Sequence, residues 1–246
     1  MTVSIALAGK GGTGKTTIAG FLIGYLITEN KKPVLAVDAD SNVNLNEVLG
    51  LQAEKTLGDA REAMKGGNVP SGMTKDIFIE MKLQDSIIEA DGFDLLVMGR
   101  PEGAGCYCAA NTLLSSCLDS LVTNYNYVVI DNEAGMEHIS RIITKKIDIL
   151  LIISDSSVRS IQAASRISKL VDELKLEVKN RYLIVNKFKG SDEEELKKLT
   201  EEYNLNMIGT LADDNLIQEY DWQGKPTYLI DSESKEKIYT IFDQLF

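Results

Sequence analysis

The stretch Gly9-Lys10-Gly11-Gly12-Thr13-Gly14-Lys15-Thr16, GKGGTGKT in one-letter code, decides the fold of this 246-residue chain. It matches the pattern G-x-x-x-x-G-K-[ST] at every defined position. The apolar run Val3–Ala8 precedes it and predicts a buried strand, and a helical pattern follows from Lys15 to about Asn30. Glycines let a backbone wrap closely around phosphate, and a helix N-terminus favours negative charge. Strand, loop and helix together predict a phosphate-binding site.

The loop predicts particular roles for two side chains. Lys15 is placed to hold the β- and γ-phosphates as a catalytic cation, and the Thr16 hydroxyl is placed to ligate Mg²⁺. The expected ligand is therefore a nucleoside triphosphate with Mg²⁺, although the loop alone does not separate ATP from GTP. The residues predicted to contact the nucleotide are Gly11, Gly12, Thr13, Gly14, Lys15, Thr16 and Thr17.

Short apolar runs recur along the rest of the chain and alternate with helical patterns. The runs are near-continuously apolar, which is typical of strands covered on both faces of a parallel sheet. The alternation predicts an α/β fold, namely a doubly wound, mostly parallel sheet with helices on both faces, in a single P-loop NTPase domain over residues 1–246. Further strands are predicted at Pro33–Val37, Phe93–Met98, Tyr127–Ile130, Ile147–Ile153, Tyr182–Val185 and Met207–Leu211. Helices are predicted at Leu113–Val122, Ser156–Leu174 and Asp192–Tyr203, with helices and a turn inserted within residues 51–92.

Three aspartates stand at the ends of two of these predicted strands. Asp38 and Asp40 follow Leu35-Ala36-Val37, and Asp131 follows Val128-Val129-Ile130. Strand ends of an open α/β sheet face the ligand crevice. Phosphoryl transfer needs a held Mg²⁺ and a positioned water, so the three carboxylates are candidates for those tasks. Asp131 is the candidate for an acid that acts on Mg²⁺. Taken singly, each could instead be a turn residue or helix cap.

Composition excludes several classes of partner. The net charge is −11, from 37 acidic and 26 basic residues, and it argues against nucleic acid as a partner. No polybasic segment favours an anionic membrane, and no apolar run is long enough to span one. Only three cysteines occur, an odd number that fits a reducing cytoplasm better than a disulfide framework. The expected location is therefore the cytoplasm.

The cysteines divide into a pair and a single residue. Cys117 falls on an apolar helical stripe and is expected in the core. Cys106-Tyr107-Cys108 follows a predicted strand, and in extended backbone both thiols would point to one side and could hold one metal ion. Two thiolates are half of a tetrahedral set, which a two-fold dimer would complete. Such a Cys₄ site suits Zn²⁺, an Fe–S cluster or planar Ni²⁺, while two packed cysteines without metal remain the alternative.

The loop sequence KGGTGKTT resembles the deviant Walker A motif of the MinD, ParA and nitrogenase iron-protein superfamily. The resemblance implies an ATP-sandwich homodimer in which Lys10 reaches the nucleotide of the facing subunit as a second catalytic lysine. It also implies that Asp40 orients the attacking water and that Asp38 supports that segment near Mg²⁺. Asn186, at the end of Ile184-Val185-Asn186-Lys187, corresponds to an asparagine that contacts adenine, which makes ATP or ADP the expected nucleotide.

Two further segments, GRPEGAGCYCAANTLL and DNEAGMEHISR, resemble the CooC family. Members of that family are nickel-insertion accessory ATPases in the maturation of carbon monoxide dehydrogenase and acetyl-CoA synthase. The resemblance covers nearly the whole chain and implies that Cys106 and Cys108 of each protomer share Ni²⁺ or Zn²⁺ across the dimer. It also implies carbon monoxide dehydrogenase as the client. Gly135 would allow a switch segment to move, and the single histidine, His138, lies in the same segment without a defined role.

Three other hypotheses remain open. A MinD/ParA-type positioning ATPase would need a membrane-targeting helix or a basic face, and the tail SKEKIYTIFDQLF has only two lysines. A redox ATPase with a bridging Fe–S cluster, like the nitrogenase iron protein, would draw two well-separated cysteines from each chain, whereas here the pair is two residues apart. The last is a P-loop ATPase whose cysteines are incidental.

Overall fold

The computed structural model describes residues 2–40, 42–65, 69–99, 118–132, 146–190 and 192–246. Within these ranges eight strands form one sheet in the spatial order β3-β4-β2-β5-β1-β6-β7-β8. The strands are β1 Val3–Gly9, β2 Val34–Asp38, β3 Ile87–Ala90, β4 Phe93–Val97, β5 Tyr127–Asp131, β6 Lys146–Asp155, β7 Glu177–Phe188 and β8 Met207–Ala212.

The sheet is parallel except at one edge, where β3 pairs antiparallel with β4. β1 lies between β5 and β6, and its register pairs Leu7 with Asp131 and Gly9 with Ile153. The β2–β5 register pairs Asp38 directly with Asp131. Because the strands run parallel, their carboxyl ends meet at one edge, and the loop after β1 opens there beside both aspartates.

Helices cover both faces of the sheet, as the alternating pattern predicts. They are α1 Lys15–Thr28, α2 Leu45–Val48, α3 Leu57–Lys65, α4 Lys75–Asp85, α5 Val158–Glu173, α6 Glu193–Glu202, α7 Asn215–Trp222 and α8 Glu233–Phe242, with a 3₁₀ turn at Thr227–Leu229. Alternate residues of β1 enter different cores: Ile5 and Leu7 pack on the side of α1 and α8, whereas Ala6 and Ala8 pack on the side of α3 to α6. The doubly wound α/β architecture is therefore confirmed.

Every strand predicted from the sequence is present, and several are longer than the apolar run that indicates them. β7 extends over Glu177–Phe188, well beyond Tyr182–Val185, because its first half lies among half-buried and exposed residues. Residues 118–122 of the predicted helix Leu113–Val122 are helical, and residues 113–117 lie outside the described ranges. None of the helices in the described ranges is long and apolar enough to cross a bilayer.

Candidate nucleotide-binding site

The loop after β1 has the backbone conformation that its glycines predict. Gly12 and Gly14 have φ values of 79° and 89°, in the left-handed region that glycine tolerates. Inside the loop, the carbonyl of Lys10 accepts hydrogen bonds from the Thr13 hydroxyl at 2.9 Å and from Lys15 Nζ at 3.3 Å. Thr13 and Lys15 are both buried. The loop is therefore held by internal hydrogen bonds, and Lys15, the predicted phosphate-binding lysine, lies along it at the N-terminus of α1.

The end of β7 contacts this loop through two side chains. Asn186 Nδ2 donates to the Thr13 carbonyl at 2.9 Å, and Lys187 Nζ donates to the Gly12 carbonyl at 3.0 Å. A Cβ on Gly14 would lie 2.4 Å from Asn186 Nδ2, so no larger residue fits there without a shift. Asn186 thus lies beside the loop, and its amide donates a hydrogen bond to protein backbone. Its contact with adenine stays a prediction.

Asp38 ends β2 with its carboxylate enclosed by backbone donors. Oδ1 accepts the N–H of Asp40 at 3.0 Å, and Oδ2 accepts those of Asn44 at 3.0 Å and Leu45 at 2.9 Å. The side chain is fully buried, and burial raises the pKa of Asp38 against the opposing effect of these three donors. Asp38 therefore fixes the path of the segment from the end of β2 to the start of α2. Its support of a catalytic segment and its association with Mg²⁺ stay predictions.

Asp131 ends β5 and has the opposite surroundings. It is 1% exposed, and its Oδ1 has no hydrogen-bond partner. Burial raises the pKa of Asp131 to about 7, the Thr16 hydroxyl bond and Lys15 lower it, and the neighbouring Asp38 raises it further. A buried carboxylate oxygen without a hydrogen-bond partner destabilises the folded protein unless a cation or donor binds to it.

Thr16 and Asp131 fit the Mg²⁺ ion that the loop implies. Mg²⁺ prefers oxygen ligands in an octahedron and usually takes only one or two groups from the protein, the rest coming from phosphates and water. The Thr16 hydroxyl is hydrogen-bonded to the Asp131 carboxylate, and Oδ1 of that carboxylate has no hydrogen-bond partner. This pair can hold the ion directly or through water, beside the loop that would hold the phosphates.

Asp40 and Lys10 lie at the rim of the site. Asp40 is half-buried, and its Oδ1 accepts the N–H of Asn42 at 2.8 Å. Lys10 is exposed, as a residue that reaches a facing subunit has to be. It also lies close enough to Asp155, at the end of β6, to contribute to lowering the pKa of that carboxyl. Both predicted catalytic residues are therefore accessible, and their roles stay predictions.

Two adjoining cavities open on the loop. The larger, about 500 Å³, reaches from Gly11 and Thr16 past Asp40 to Thr227. The smaller, about 110 Å³, is lined by Asn186 and the residues around the end of β8. Four residues line both: Gly14, Thr17, Lys187 and Asp221. The larger cavity suits phosphates with Mg²⁺, and the smaller one suits a base.

Trp222, next to Asp221, projects into solvent and is 87% exposed.

The predicted nickel or zinc site lies outside the described residues. This applies to Cys106, Cys108 and Cys117, and also to Gly135 and His138 of the second switch segment. Among the residues that the structure describes, no group of three or more His, Cys, Asp or Glu side chains could hold a metal ion. The Cys-x-Cys hypothesis therefore rests on sequence.

Sequence reasoning missed two residues that shape the site. Asn132 is 1% exposed and donates from Nδ2 to the Leu7 carbonyl at 2.8 Å, tying β5 to the last residues of β1. Lys187 is the second, through its bond to the Gly12 carbonyl of the loop. The signal for Lys187 was its position after Asn186 at the end of an apolar strand, which places it at the same sheet edge as the loop.

Comparison with known families identifies the kind of domain. A family model described as CbiA, the CobQ/CobB/MinD/ParA nucleotide binding domain, matches residues 4–227. The match begins at β1 and runs through the phosphate loop, the two strand-end aspartates and β8. Nucleotide binding is thereby established at the level of the family.

Individual relatives cover the chain almost completely. A Methanocaldococcus jannaschii protein named uncharacterized ATP-binding protein MJ0685 is 41% identical over 98% of this chain and 97% of its own length. The carbon monoxide dehydrogenase accessory protein CooC of Rhodospirillum rubrum is 31% identical over 99% of this chain and 96% of its own. The septum site-determining protein MinD of Pyrococcus horikoshii, solved with Mg-ADP, has a TM-score of 0.72 at 20% identity and covers 100% of this chain and 96% of its own, which shows the fold alone.

Proposed function

The chain belongs to the CobQ/CobB/MinD/ParA family of nucleotide-binding domains and is an ATPase, and we propose that its hydrolysis cycle serves nickel insertion into carbon monoxide dehydrogenase or acetyl-CoA synthase. The observation that carries the ATPase assignment is the open oxygen of Asp131 beside Thr16 and the phosphate loop. The nickel assignment is supported by the CooC relative and by the Cys-x-Cys pair.

In this proposal each residue of the site has a defined task. The loop N–H groups and Lys15 hold the phosphates of ATP and offset the charge that develops during transfer. Thr16 and Asp131 would hold Mg²⁺, and the bound ion would supply positive charge against the phosphate oxygens. Asp40, at the rim of the larger cavity, positions the attacking water, and Asp38 keeps its segment in place through the Asp40 N–H. Catalysis is then mostly positioning and electrostatics.

The coupling to metal requires a second copy of the chain. ATP would bring two subunits together, with each exposed Lys10 reaching the nucleotide of its partner. The same two-fold contact would join two Cys106/Cys108 pairs into one four-thiolate site for nickel as cargo, a site that zinc also suits. Hydrolysis would reopen the dimer and release the metal to its client. Nucleotide and metal should therefore each change the affinity of the other by the same factor.

The test is anaerobic size-exclusion chromatography with light scattering and metal analysis, with Ni²⁺ or Zn²⁺ and with Mg-ADP or Mg-ATP. The proteins are the wild type, the double variant Cys106→Ser/Cys108→Ser and the control Cys117→Ser, which removes the third cysteine. We expect about one metal ion per dimer for wild type and control, as a shared Cys₄ site requires, and none for the double variant.

The same samples separate the two halves of the proposal. Phosphate release from ATP should persist in the double variant, because Cys106 and Cys108 do not belong to the phosphate site. Metal binding that survives in the double variant, or is absent from the wild type, would remove nickel insertion and leave the ATPase. A wild type that releases no phosphate from Mg-ATP, with or without metal, would contradict the ATPase assignment.

A further inference from the structure

The end of β7 holds the phosphate loop through two of its backbone carbonyls. Two consecutive residues at the end of β7 donate to two consecutive loop carbonyls: Asn186 to Thr13 at 2.9 Å and Lys187 to Gly12 at 3.0 Å. A peptide unit that directs its carbonyl to one side directs its N–H to the other. Fixing these two carbonyls therefore fixes the direction of the N–H groups of Thr13 and Gly14, which follow them.

The conformation of Lys187 is specialised for this contact. Its φ is 53°, in the left-handed region that residues other than glycine seldom adopt. Its own N–H donates to Asn186 Oδ1 at 2.9 Å, so the asparagine side chain holds the backbone of the lysine while its amide holds the loop. Such strained positions persist only where surrounding contacts over-determine them, and they concentrate at functional sites.

Lys187 also lies where the two halves of a nucleotide would meet. It is one of the residues that line both the cavity at the phosphate loop and the smaller cavity beside β8. Its ammonium group adds a positive charge beside a loop that would hold phosphates. Lys187 thus has a geometric and an electrostatic means of favouring an anionic ligand.

We propose that Lys187 is a positioning residue that keeps the phosphate loop in its nucleotide-binding shape through the Gly12 carbonyl. The inference rests on nucleotide binding by this site. Because Lys187 contacts the loop rather than the terminal phosphate, it stabilises bound ADP and bound ATP to the same degree. It therefore acts on affinity and on KM, and leaves kcat nearly unchanged.

A purely structural role for the lysine would give a different result. Gly12 and Lys187 are exposed, so water can replace the ammonium group at the Gly12 carbonyl when the lysine is removed. Loss of the contact should then leave the unfolding midpoint nearly unchanged while nucleotide affinity falls. A lysine that only stabilised the fold would change the unfolding midpoint first.

The experiment compares Lys187→Met, which keeps the length of the side chain without charge, with Lys187→Arg and with Lys198→Met on the exposed side of α6. Calorimetric titration with Mg-ADP and a non-hydrolysable Mg-ATP analogue gives the affinities. We expect about tenfold weaker binding of both ligands to Lys187→Met, the usual order for a hydrogen bond from a charged donor. Lys187→Arg should recover most of this loss, because arginine also donates, and Lys198→Met should match the wild type.

The outcomes are separable from those of the proposed function. If Lys187→Met binds both nucleotides as the wild type does, or if Lys187→Arg is no better than Lys187→Met, the positioning role is wrong. A fall in affinity for the ATP analogue alone would also overturn it, since that result indicates a terminal-phosphate contact. If the wild type binds neither ligand, nucleotide binding itself fails, and the positioning role fails with it.

Discussion

The ends of β2 and β5 carry the same sequence pattern and have opposite chemistry. Each is an apolar run that ends in aspartate, and the register places Asp38 and Asp131 side by side. Both side chains are buried. Asp38 accepts three backbone N–H groups, whereas one oxygen of Asp131 has no partner. One carboxylate is thus occupied with the protein's own backbone, and the other is open towards the phosphate loop.

The difference shows that burial of a carboxylate has two distinct consequences, depending on whether its oxygens have hydrogen-bond donors. A buried carboxylate saturated by backbone donors organises the chain around it, so its removal should affect the fold. A buried carboxylate with an open oxygen is held at a disadvantage in the free protein and gains when a cation arrives. Asp38 and Asp131 therefore predict opposite responses to substitution, and three experiments test that contrast.

The largest expected effect is on hydrolysis by Asp131→Asn. The amide keeps the shape of the side chain but not the charge that, in our proposal, acts on Mg²⁺. We expect ATP hydrolysis to fall about a thousandfold, since metal-ion stabilisation of transferring phosphate is worth several kcal/mol. Phosphate release under saturating Mg-ATP measures it. The control is Asp172→Asn on the exposed side of α5, where the carboxylate pairs with Arg181. An Asp131→Asn protein that hydrolyses ATP within threefold of the wild-type rate would contradict the proposed difference between Asp131 and Asp38.

The next effect is the pH dependence of stability in the free protein. Burial raises the pKa of Asp131 from 3.8 to about 7. Between these values the unfolded chain releases a proton that the folded chain keeps. Stability therefore falls as pH rises from about 4 to about 7 and then levels, by at most about 4 kcal/mol at about 1.4 kcal/mol per pKa unit.

Urea unfolding across this range, without nucleotide or Mg²⁺, measures the slope. Burial also raises the pKa of Asp38, so the difference between the wild type and Asp131→Asn isolates Asp131. The variant should lose most of the downward slope and be the more stable protein at neutral pH. Parallel curves for the two proteins would show that Asp131 is ionised at no disadvantage, and the contrast with Asp38 would lose its basis.

The smallest effect is on the fold itself, through Asp38→Ala. Three N–H groups lose their acceptor, and that of Leu45 is at a buried position. We expect a loss of about 2 kcal/mol in the free energy of unfolding, because the two part-buried donors can turn to water and the buried one cannot. Urea unfolding at neutral pH gives the value. An Asp38→Ala protein as stable as the wild type would mean that the backbone bonds to Asp38 contribute nothing net.

Much of the fold follows from the chain's apolar periodicity, and the exceptions have physical causes. Long buried strands such as β6 can be predicted from sequence, because strands covered on both faces are nearly continuous apolar runs. β3 went unpredicted, since Ile87–Ala90 is a short edge strand of half-buried and exposed residues. Its signal was Asp91-Gly92, a two-residue hairpin turn between two apolar segments, with Gly92 at a φ of 90°. Helix α7 was also not predicted, since it has only eight residues and none of them is buried. Helix α8, which overlaps the tail SKEKIYTIFDQLF, was not predicted either.

The parts of the site that one local sequence pattern specifies could be predicted. The parts that depend on contacts between residues far apart in the sequence could not. The phosphate loop is contained in eight consecutive residues, so its geometry follows from sequence. The unequal surroundings of Asp38 and Asp131 depend on Asn44, Leu45 and Thr16, which only the folded chain brings into place. The bond of Asn186 to Thr13 spans 173 positions along the chain and has no local signature.

The exposure of Trp222 has an optical consequence. It is the only tryptophan of the chain, and it follows Asp221, which lines both cavities. An indole that is 87% exposed emits as a solvated chromophore, and any molecule that covers it shifts its emission to shorter wavelength. The protein therefore carries one intrinsic fluorophore beside its ligand site. Association of any molecule that covers Trp222, such as a second chain at this face, can be followed by unlabelled fluorescence with no competing tryptophan signal.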